Sequence, residues 1–335
     1  TINIKIMNLE NKNVFVTGAG GFIGSHLCSH LVNNGANVTA MLHYNSRSDW
    51  SNLEYLDNET KASIKVVKGN IEDSSFLDTH TKGQNVIFHL AALIGIPYSY
   101  EAPLSYVKTN IEGTVNVLES ARKNDTELVV NTSTSETYGS AIYTPIDELH
   151  PMQGQSPYSA SKISADKLAE SYYNSFKLPV MTVRPFNTYG PRQSSRAVIP
   201  TIISQLLTED KLTLGDLSPV RDFTYVDDTA NGFICAAENH EHIGEVINLG
   251  YGKAATIGET AELIMNIMHS NKEIVSEKSR IRPKDSEVLH LISDNKKADN
   301  LLNWQPKVDL RSGLEKTIEF VSKNLHLFRT DSYNI

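Results

Sequence analysis

The chain has 335 residues, 40% hydrophobic and 21% charged, with a formal net charge of -8, which suits one large α/β domain with an appendage or roughly two domains. The acidic balance argues against a general nucleic-acid binder, whose footprint is a basic patch, although Arg184, Arg192, Arg196 and Arg221 form a local set able to hold one small anionic ligand. No run nears the about 18 apolar residues of a membrane span, no apolar signal core opens the chain, and the two cysteines, Cys28 and Cys235, lie far apart, so a reducing cytoplasm is expected.

Residues 1–6 precede Met7 and read as an N-terminal extension. Asn13 to Thr17 is a short β-branched and aromatic strand, Gly18 to Gly24 a turn, and Phe22 to Asn33 a helix stopped by Gly35. Asn37 to Leu42, Ser63 to Val67 and Val86 to Leu90 read as further buried strands. Pro103 to Lys123 follows as one long helix with Val107, Ile111, Val115 and Leu118 on its apolar positions. The strand Leu128 to Thr132 runs into Thr134, Ser135 and Glu136; a loop over 139–157, a helix over about 158–176 and the strand Val180 to Val183 complete the alternation. Strands alternating with helices predict a parallel doubly wound sheet, with functional residues at the C-terminal strand ends. Past Pro185 the elements shorten and mix, giving a smaller α/β lobe, although Tyr225 to Ala237 returns to the first. The expected partition is 7–186 plus about 223–250 for the large lobe, and about 187–222 plus 251–325 for the small one.

Gly18, Gly21 and Gly24 recur at three-residue spacing between that first strand and helix. Such a turn brings bare backbone beside a helix N-terminus, where the amides around Phe22 and Ile23 suit a dinucleotide pyrophosphate. Glycines also collect in purely structural turns. An acid ending the second strand would favour NAD. Here His43, Asn45, Ser46 and Arg47 stand there with no carboxylate before Asp49, so Arg47 is expected to meet a 2′-phosphate and NADP is favoured over NAD; the bland reading of Arg47 is a solvated cation. Tyr158 and Lys162 are four apart on one helix face, which predicts an ammonium that lowers a phenol's pKa and makes it a base.

Several ordered segments then fall together: His-Leu-Ala-Ala at 89–92, Tyr158-x-x-x-Lys162, Arg-Pro-Phe-Asn-Thr-Tyr-Gly-Pro at 184–191 and Arg-Asp-Phe-Thr-Tyr-Val-Asp-Asp at 221–228. From about Asn13 to Phe320 the chain resembles the extended short-chain dehydrogenase/reductases. The resemblance implies a Rossmann domain binding NAD(P), a smaller C-terminal lobe binding a nucleotide-diphosphate sugar, and a homodimer formed through the helices at 103–123 and 158–176 as a four-helix bundle. It also implies cofactor contacts from Leu90, Ala91 and Ala92 and from Asn70 and Ile71, Asn70 replacing the aspartate that often contacts adenine.

The triplet Thr134, Ser135, Glu136 is similar to that of sugar 4,6-dehydratases, whereas 4-epimerases carry Ser-Ser-Ala or Ser-Ser-Thr. The stretches His43 to Trp50, Pro191 to Pro200 and Arg282 to Val288 further resemble N-acetylglucosamine-nucleotide 4,6-dehydratases of legionaminic acid biosynthesis. The implied roles are these: Tyr158 takes the carbon 4 hydroxyl proton while hydride passes to the nicotinamide, Lys162 supports it, and Thr134 holds the carbon 4 oxygen. Glu136 removes the carbon 5 proton. Ser135, where dTDP-glucose relatives place an acid, is too weak to protonate the leaving hydroxyl, so Glu136 is expected to deliver that proton, as in GDP-mannose dehydratases that also read Thr-Ser-Glu. Asn187, Arg192, Arg221 and Arg282 are the expected diphosphate and nucleotide ligands, guanidinium forks suiting phosphate oxygens. His89 and His290 read as structural, and no spacing suggests a metal site. GDP-mannose or CDP-glucose dehydratase and nucleotide-sugar 4-epimerase are the rival readings; a non-catalytic sensor is disfavoured by the intact Thr134, Glu136, Tyr158 and Lys162.

Overall fold

Burial on both faces is what makes β1 (Asn13–Thr17) a central parallel strand: every residue but the first is buried, with Val14 and Val16 on one side and Phe15 on the other. The structure is a computed structural model that describes residues 7–277 and 288–328. α1 (Phe22–Asn33), β2 (Asn37–His43), α2 (Asn58–Ala62), β3 (Ile64–Gly69), α3 (Ser74–His80) and β4 (Val86–His89) follow in turn. Next come α4 (Ile96–Glu101), α5 (Pro103–Tyr106), α6 (Gly113–Lys123), β5 (Leu128–Thr132), α7 (Pro157–Phe176) and β6 (Val180–Pro185). The C-terminal half holds β7 (Asn187–Tyr189), α8 (Val198–Thr208), β8 (Leu212–Leu214), β9 (Val220–Tyr225), α9 (Val226–Glu238) and β10 (Val246–Leu249). It ends with β11 (Ala254–Thr256), α10 (Ile257–Ile267), β12 (Ile274–Ser276), β13 (His290–Leu291), α11 (Lys296–Leu302) and α12 (Leu310–Lys323).

The expected doubly wound sheet is present. Its seven strands run parallel in the order β10-β6-β5-β4-β1-β2-β3. The order reverses between β1 and β4, and ligand crevices open at such switch points beyond the strands' C-terminal ends. Leu27, Leu31, Phe233 and the fully buried Trp304 pack one face of the sheet, while Leu118, Ala169 and Tyr172 pack the other. α9 lies against α1, and β10 pairs with β6 at Asn248 and Arg184, so the chain re-enters the large sheet after β9. A second sheet, β11-β9-β13 with β7 also on β9, and the pair β12-β8 enclose a separate apolar cluster of Ile202, Leu214, Phe223, Ile264 and Leu314.

The single helix expected over 103–123 is instead three pieces, with a π-helical stretch at Val107–Glu112 between α5 and α6. Buried Asn110 sits in that stretch. Its Oδ1 accepts from Leu93 N at 2.8 Å and its Nδ2 donates to Leu93 O and Ser161 Oγ, both at 2.9 Å. This side chain ties the segment after β4 to α7, and π-bulges recur at functional sites. α7 begins on a capping box, Ser156 with Ser159, with Pro157 at the first helical position, which fixes where Tyr158 emerges.

Candidate active site

At the C-terminal end of β1 the turn is built for close approach. Gly18 has φ +68, and a Cβ on it would lie 2.7 Å from Ala91 N; one on Gly24 would lie 2.3 Å from Gly18 O. Thr17 Oγ1 accepts from both Leu90 N and Ala91 N at 3.1 Å, joining the glycine turn to the segment after β4. Gly21 caps α1 without a side-chain hydrogen bond, and no acid stands in the first turn, so the amides around Phe22 and Ile23 are left for an anion. Past β2, His43 to Arg47 are exposed; Asn45 Oδ1 accepts from Arg47 N at 2.8 Å and Lys68 Nζ donates to Arg47 O at 2.7 Å, which shapes the loop. These residues fit a dinucleotide: bare backbone at an uncapped helix end and no carboxylate between the end of β2 and Asp49.

Two expected cofactor contacts are narrower than their residue types allow. Asn70 Oδ1 accepts from Glu72 N at 3.1 Å, so its amide group is the part left for a base edge. Ile71 is buried, its side chain against Gly113 and its carbonyl taken by Asn116 Nδ2 at 3.2 Å. His89 is structural as expected: Thr17 Oγ1 lies 2.9 Å from Nδ1 and Thr114 Oγ1 3.0 Å from Nε2. Burial, aided by the charge of Lys162, pushes its pKa down to about 3. His290 is exposed on β13, and among the described residues no His, Cys, Asp or Glu group is placed to hold a metal.

Beyond β5 the chain tightens into a 3-10 turn at Ser135–Tyr138, capped by Thr134, whose Oγ1 accepts from Glu136 N at 3.2 Å. Ser135 is buried and Glu136 half-buried; the Glu136 carboxylate makes no hydrogen bond or ion pair among the described residues. Tyr158 and Lys162 rise from α7 into the same place, both buried. Lys162 Nζ donates to Thr132 O at 2.6 Å. Thr134 hydrogen-bonds the Tyr158 phenol, and Glu136 is close enough for its charge to act on that phenol.

The expected lowering of the Tyr158 pKa by Lys162 is not what the geometry gives. Burial pushes the phenol well above its ordinary value, the charges of Glu136, Tyr106 and Asp166 push further, and only the bond from Thr134 opposes. Lys162 is itself pushed down by burial, its ammonium committed to the Thr132 carbonyl. With both side chains this buried, desolvation of the ionised form outweighs an i, i+4 neighbour.

One member of the arginine set is committed inside the fold. Arg184 is 2% exposed, and its Nε and Nη2 donate to Asp166 Oδ2 at 3.1 and 3.0 Å, so it is no ligand for a diphosphate. Breaking such a buried pair by removing one partner costs about 3–5 kcal/mol. Arg192, in left-handed backbone at φ 69, donates from Nε to His26 Nε2 at 3.1 Å, and burial lowers its pKa to about 10. His26 Nδ1 lies 2.8 Å from Asp227 Oδ1 and His30 Nε2 3.2 Å from the same oxygen. Burial favours a neutral Asp227, but hydrogen bonds and charge from His26 and His30 prevail and hold its pKa low. Arg192 thus stands against α1, an arrangement the sequence does not announce because His26 and Asp227 are 166 and 35 positions away in the chain. Arg221 is buried on β9, with Nη1 donating to Val220 O at 3.1 Å. Asn187 Oδ1 is buried without a hydrogen-bond partner, which leaves it for a ligand donor. Arg282 lies outside the described residues.

The family model for GDP-mannose 4,6 dehydratase matches residues 15–317. A human dTDP-D-glucose 4,6-dehydratase is 30% identical over 325 residues, spanning 94% of this chain and 91% of the relative. A UDP-N-acetylglucosamine 4-epimerase from Methanobrevibacter ruminantium M1, solved in complex with UDP-N-acetylmuramic acid, superposes with a TM-score of 0.84 at 30% identity, over 94% of this chain and 99% of that one. A dTDP-glucose 4,6-dehydratase from Streptomyces venezuelae with NAD bound gives a TM-score of 0.85 at 27% identity, over 95% and 99% of the two chains. With a glycine turn, a Tyr-x-x-x-Lys pair and a carboxylate gathered at one end of a doubly wound sheet, the chain belongs to the GDP-mannose 4,6 dehydratase family, the extended short-chain dehydrogenase/reductases that act on nucleotide sugars as 4,6-dehydratases or 4-epimerases with a nicotinamide dinucleotide.

Proposed function

We propose that this protein is an NDP-sugar 4,6-dehydratase that converts UDP- or GDP-N-acetylglucosamine to the 4-keto-6-deoxy sugar, for nonulosonic acid and surface-glycan biosynthesis of the legionaminic acid type. The observation that carries the reading is Glu136: a carboxylate in the turn after β5, unpartnered by the described side chains and electrostatically coupled to Tyr158. A 4-epimerase has no task for such a base, because it never breaks the carbon 5 to hydrogen bond.

Tyr158 accepts the proton of the carbon 4 hydroxyl, and Thr134 hydrogen-bonds the carbon 4 oxygen. A nicotinamide dinucleotide, when bound, supplies a reversible hydride acceptor and is not consumed. Oxidation at carbon 4 places the carbon 5 hydrogen α to a ketone, which is what makes it acidic enough for Glu136 to remove. Glu136 then returns that proton to the carbon 6 hydroxyl as it leaves as water, since buried Ser135 is too weak an acid. Overall, one hydrogen moves from carbon 4 to carbon 6, carbon 5 takes a proton from solvent in place of the one that left with the water, and the proton held by Tyr158 is released to solvent. Burial favours the neutral phenol, and a cationic Lys162 on the same helix face offsets part of that cost when Tyr158 takes the proton.

NADP is the preferred cofactor on this reading, Arg47 meeting the 2′-phosphate with His43, Asn45 and Ser46 around it; relatives solved with NAD keep NAD in contention. Asn187 and Arg221 hold the nucleotide diphosphate, with Arg282 assigned to the same task. Exposed Leu104, Val107 and Phe176, on α5, the π-helical stretch and α7, support a homodimer through those helices, and two free thiols accord with a cytoplasmic enzyme. Incubation with UDP-, GDP-, CDP- and dTDP-sugars, followed by mass spectrometry, tests this: loss of one water from an N-acetylglucosamine nucleotide is expected. Loss from GDP-mannose or CDP-glucose alone transfers the assignment to those substrates, and an unchanged mass with altered stereochemistry at carbon 4 makes the protein an epimerase.

A further inference from the structure

Ser133, Tyr138, Asp166 and Arg184 form a buried polar chain that none of the steps above uses, and it brackets the turn carrying Glu136. Tyr158, Lys162 and Asp166 follow at four-residue spacing on α7, so they share one face; none is more than 7% exposed. Asp166 Oδ2 accepts from Ser133 Oγ at 2.6 Å as well as from Arg184, while Asp166 Oδ1 is buried with no hydrogen-bond partner. Arg184 Nη1 also donates to the Tyr138 hydroxyl at 2.9 Å, its guanidinium 5.0 Å above that ring. α7 is therefore stitched to two successive residues past the middle of β5, Thr132 by Lys162 and Ser133 by Asp166, and Arg184 grips the far end of the turn at Tyr138.

An ion pair this deep is weak evidence for a stabilising role, since apolar replacements of such pairs are often neutral or better. A carboxylate oxygen without a partner keeps its field in a low-dielectric interior. Lys162 has no ion pair of its own among the described residues, only the Thr132 carbonyl. We propose that Asp166 is a positioning residue for the dehydratase reaction, an inference resting on the reading above: clamped by Arg184 and Ser133, its carboxylate sets the end of β5 against α7 and supplies the counter-charge that keeps Lys162 cationic.

The groups facing this trio are Glu136 from the turn after β5, Tyr106 from α5, His89 from β4 and Arg184 from β6. His89 stays neutral near pH 7, and burial pushes the Tyr106 phenol up, so neither adds a charge there. Burial lowers the Lys162 pKa and Asp166 opposes it. On Tyr158, burial dominates and Asp166 adds to the upward shift. Removing the Asp166 charge therefore lowers both pKa values, and both limbs of the kcat profile move toward acid.

The experiment compares wild type, D166N, D166E and the double variant D166N/R184M, which also removes the arginine that D166N leaves unpaired. Each is checked for folding by near-ultraviolet circular dichroism, assayed for kcat and KM across pH, and titrated by NMR with labelled lysine. For the folded Asn variants, kcat at pH 8 should fall about tenfold or more with KM within about threefold. Both limbs and the Lys162 resonance should move acidward by at least about half a unit, on the scale of one nearby charge, and D166E should move them back. A lower rate with limbs at their wild-type positions overturns the proposal, leaving Asp166 a structural residue. An unmoved Lys162 titration overturns it without reference to the reaction; a wild-type protein that forms no keto sugar defeats the dehydratase reading instead, and the titration then decides on Asp166 alone.

Discussion

Replacing Gly24 by alanine tests the cofactor groove through a single methyl group. A Cβ at this position would stand 2.3 Å from Gly18 O, and 3.0 Å from both Gly18 C and Ala19 Cα. Ordinary contact distances begin near about 3.5 Å, so the helix start and the turn must separate by about 1 Å. Both colliding partners are backbone, and no side-chain rotation relieves them. Overpacking of this kind costs about 1–3 kcal/mol of stability. The larger effect falls on binding, because the same shift withdraws the amides around Phe22 and Ile23 from a pyrophosphate. One charge-assisted hydrogen bond contributes about 1.5–3 kcal/mol, so loss of one weakens NADP by about ten- to a hundredfold. Isothermal titration with NADP and NAD, alongside a thermal melt, measures both. Affinities within about threefold of wild type and an unchanged Tm would refute the reasoning, since the turn would then be a structural feature away from the cofactor.

Other outcomes are equally specific. Glu136→Gln should bind NADP and sugar nucleotide normally and still draw a partial reduced-nicotinamide absorbance, yet release keto sugar about a hundredfold more slowly or not at all; full turnover removes Glu136 from the mechanism. Arg47→Ala should weaken NADP by about tenfold or more while leaving NAD unchanged, and equal effects on both would make Arg47 an ordinary loop cation. His89, held neutral with a pKa near 3, is a base whose folded value lies below its unfolded one of about 6.5, so the folded state binds fewer protons between those values. Its contribution to stability is complete above about pH 6.5 and is lost as pH falls through that window, by at most about 1.4 kcal/mol per unit. Urea denaturation of wild type and His89→Gln from pH 7 to pH 4 should show a shallower slope for the variant; parallel slopes would show that His89 is not held neutral.

Much of the large lobe was legible because its signals are local. The run Asn13 to Thr17, the glycine turn and the helix Phe22–Asn33 appear where their residues place them, since β-branching, apolar spacing and glycine act within a few positions. The joint in the helix expected over 103–123 was not legible, because Asn110 acts there through Leu93 and Ser161. Tyr158, Lys162 and Glu136 could be named from spacing and resemblance. The direction of the Tyr158 pKa could not, because burial decides it and burial belongs to the assembled pocket. The same holds for Arg184, which looks like an anion ligand in sequence and is claimed by Asp166, 18 residues earlier, once α7 packs on the sheet.

The most direct test of the central claim is to run the reaction in deuterated water with UDP- and GDP-N-acetylglucosamine and read the product by NMR. The expected product is a 4-keto-6-deoxy sugar carrying one solvent deuterium at carbon 5, with the original carbon 4 hydrogen now on carbon 6. Recovery of a 4-epimer with no deuterium at carbon 5 would contradict it, because Glu136 would then have taken no proton.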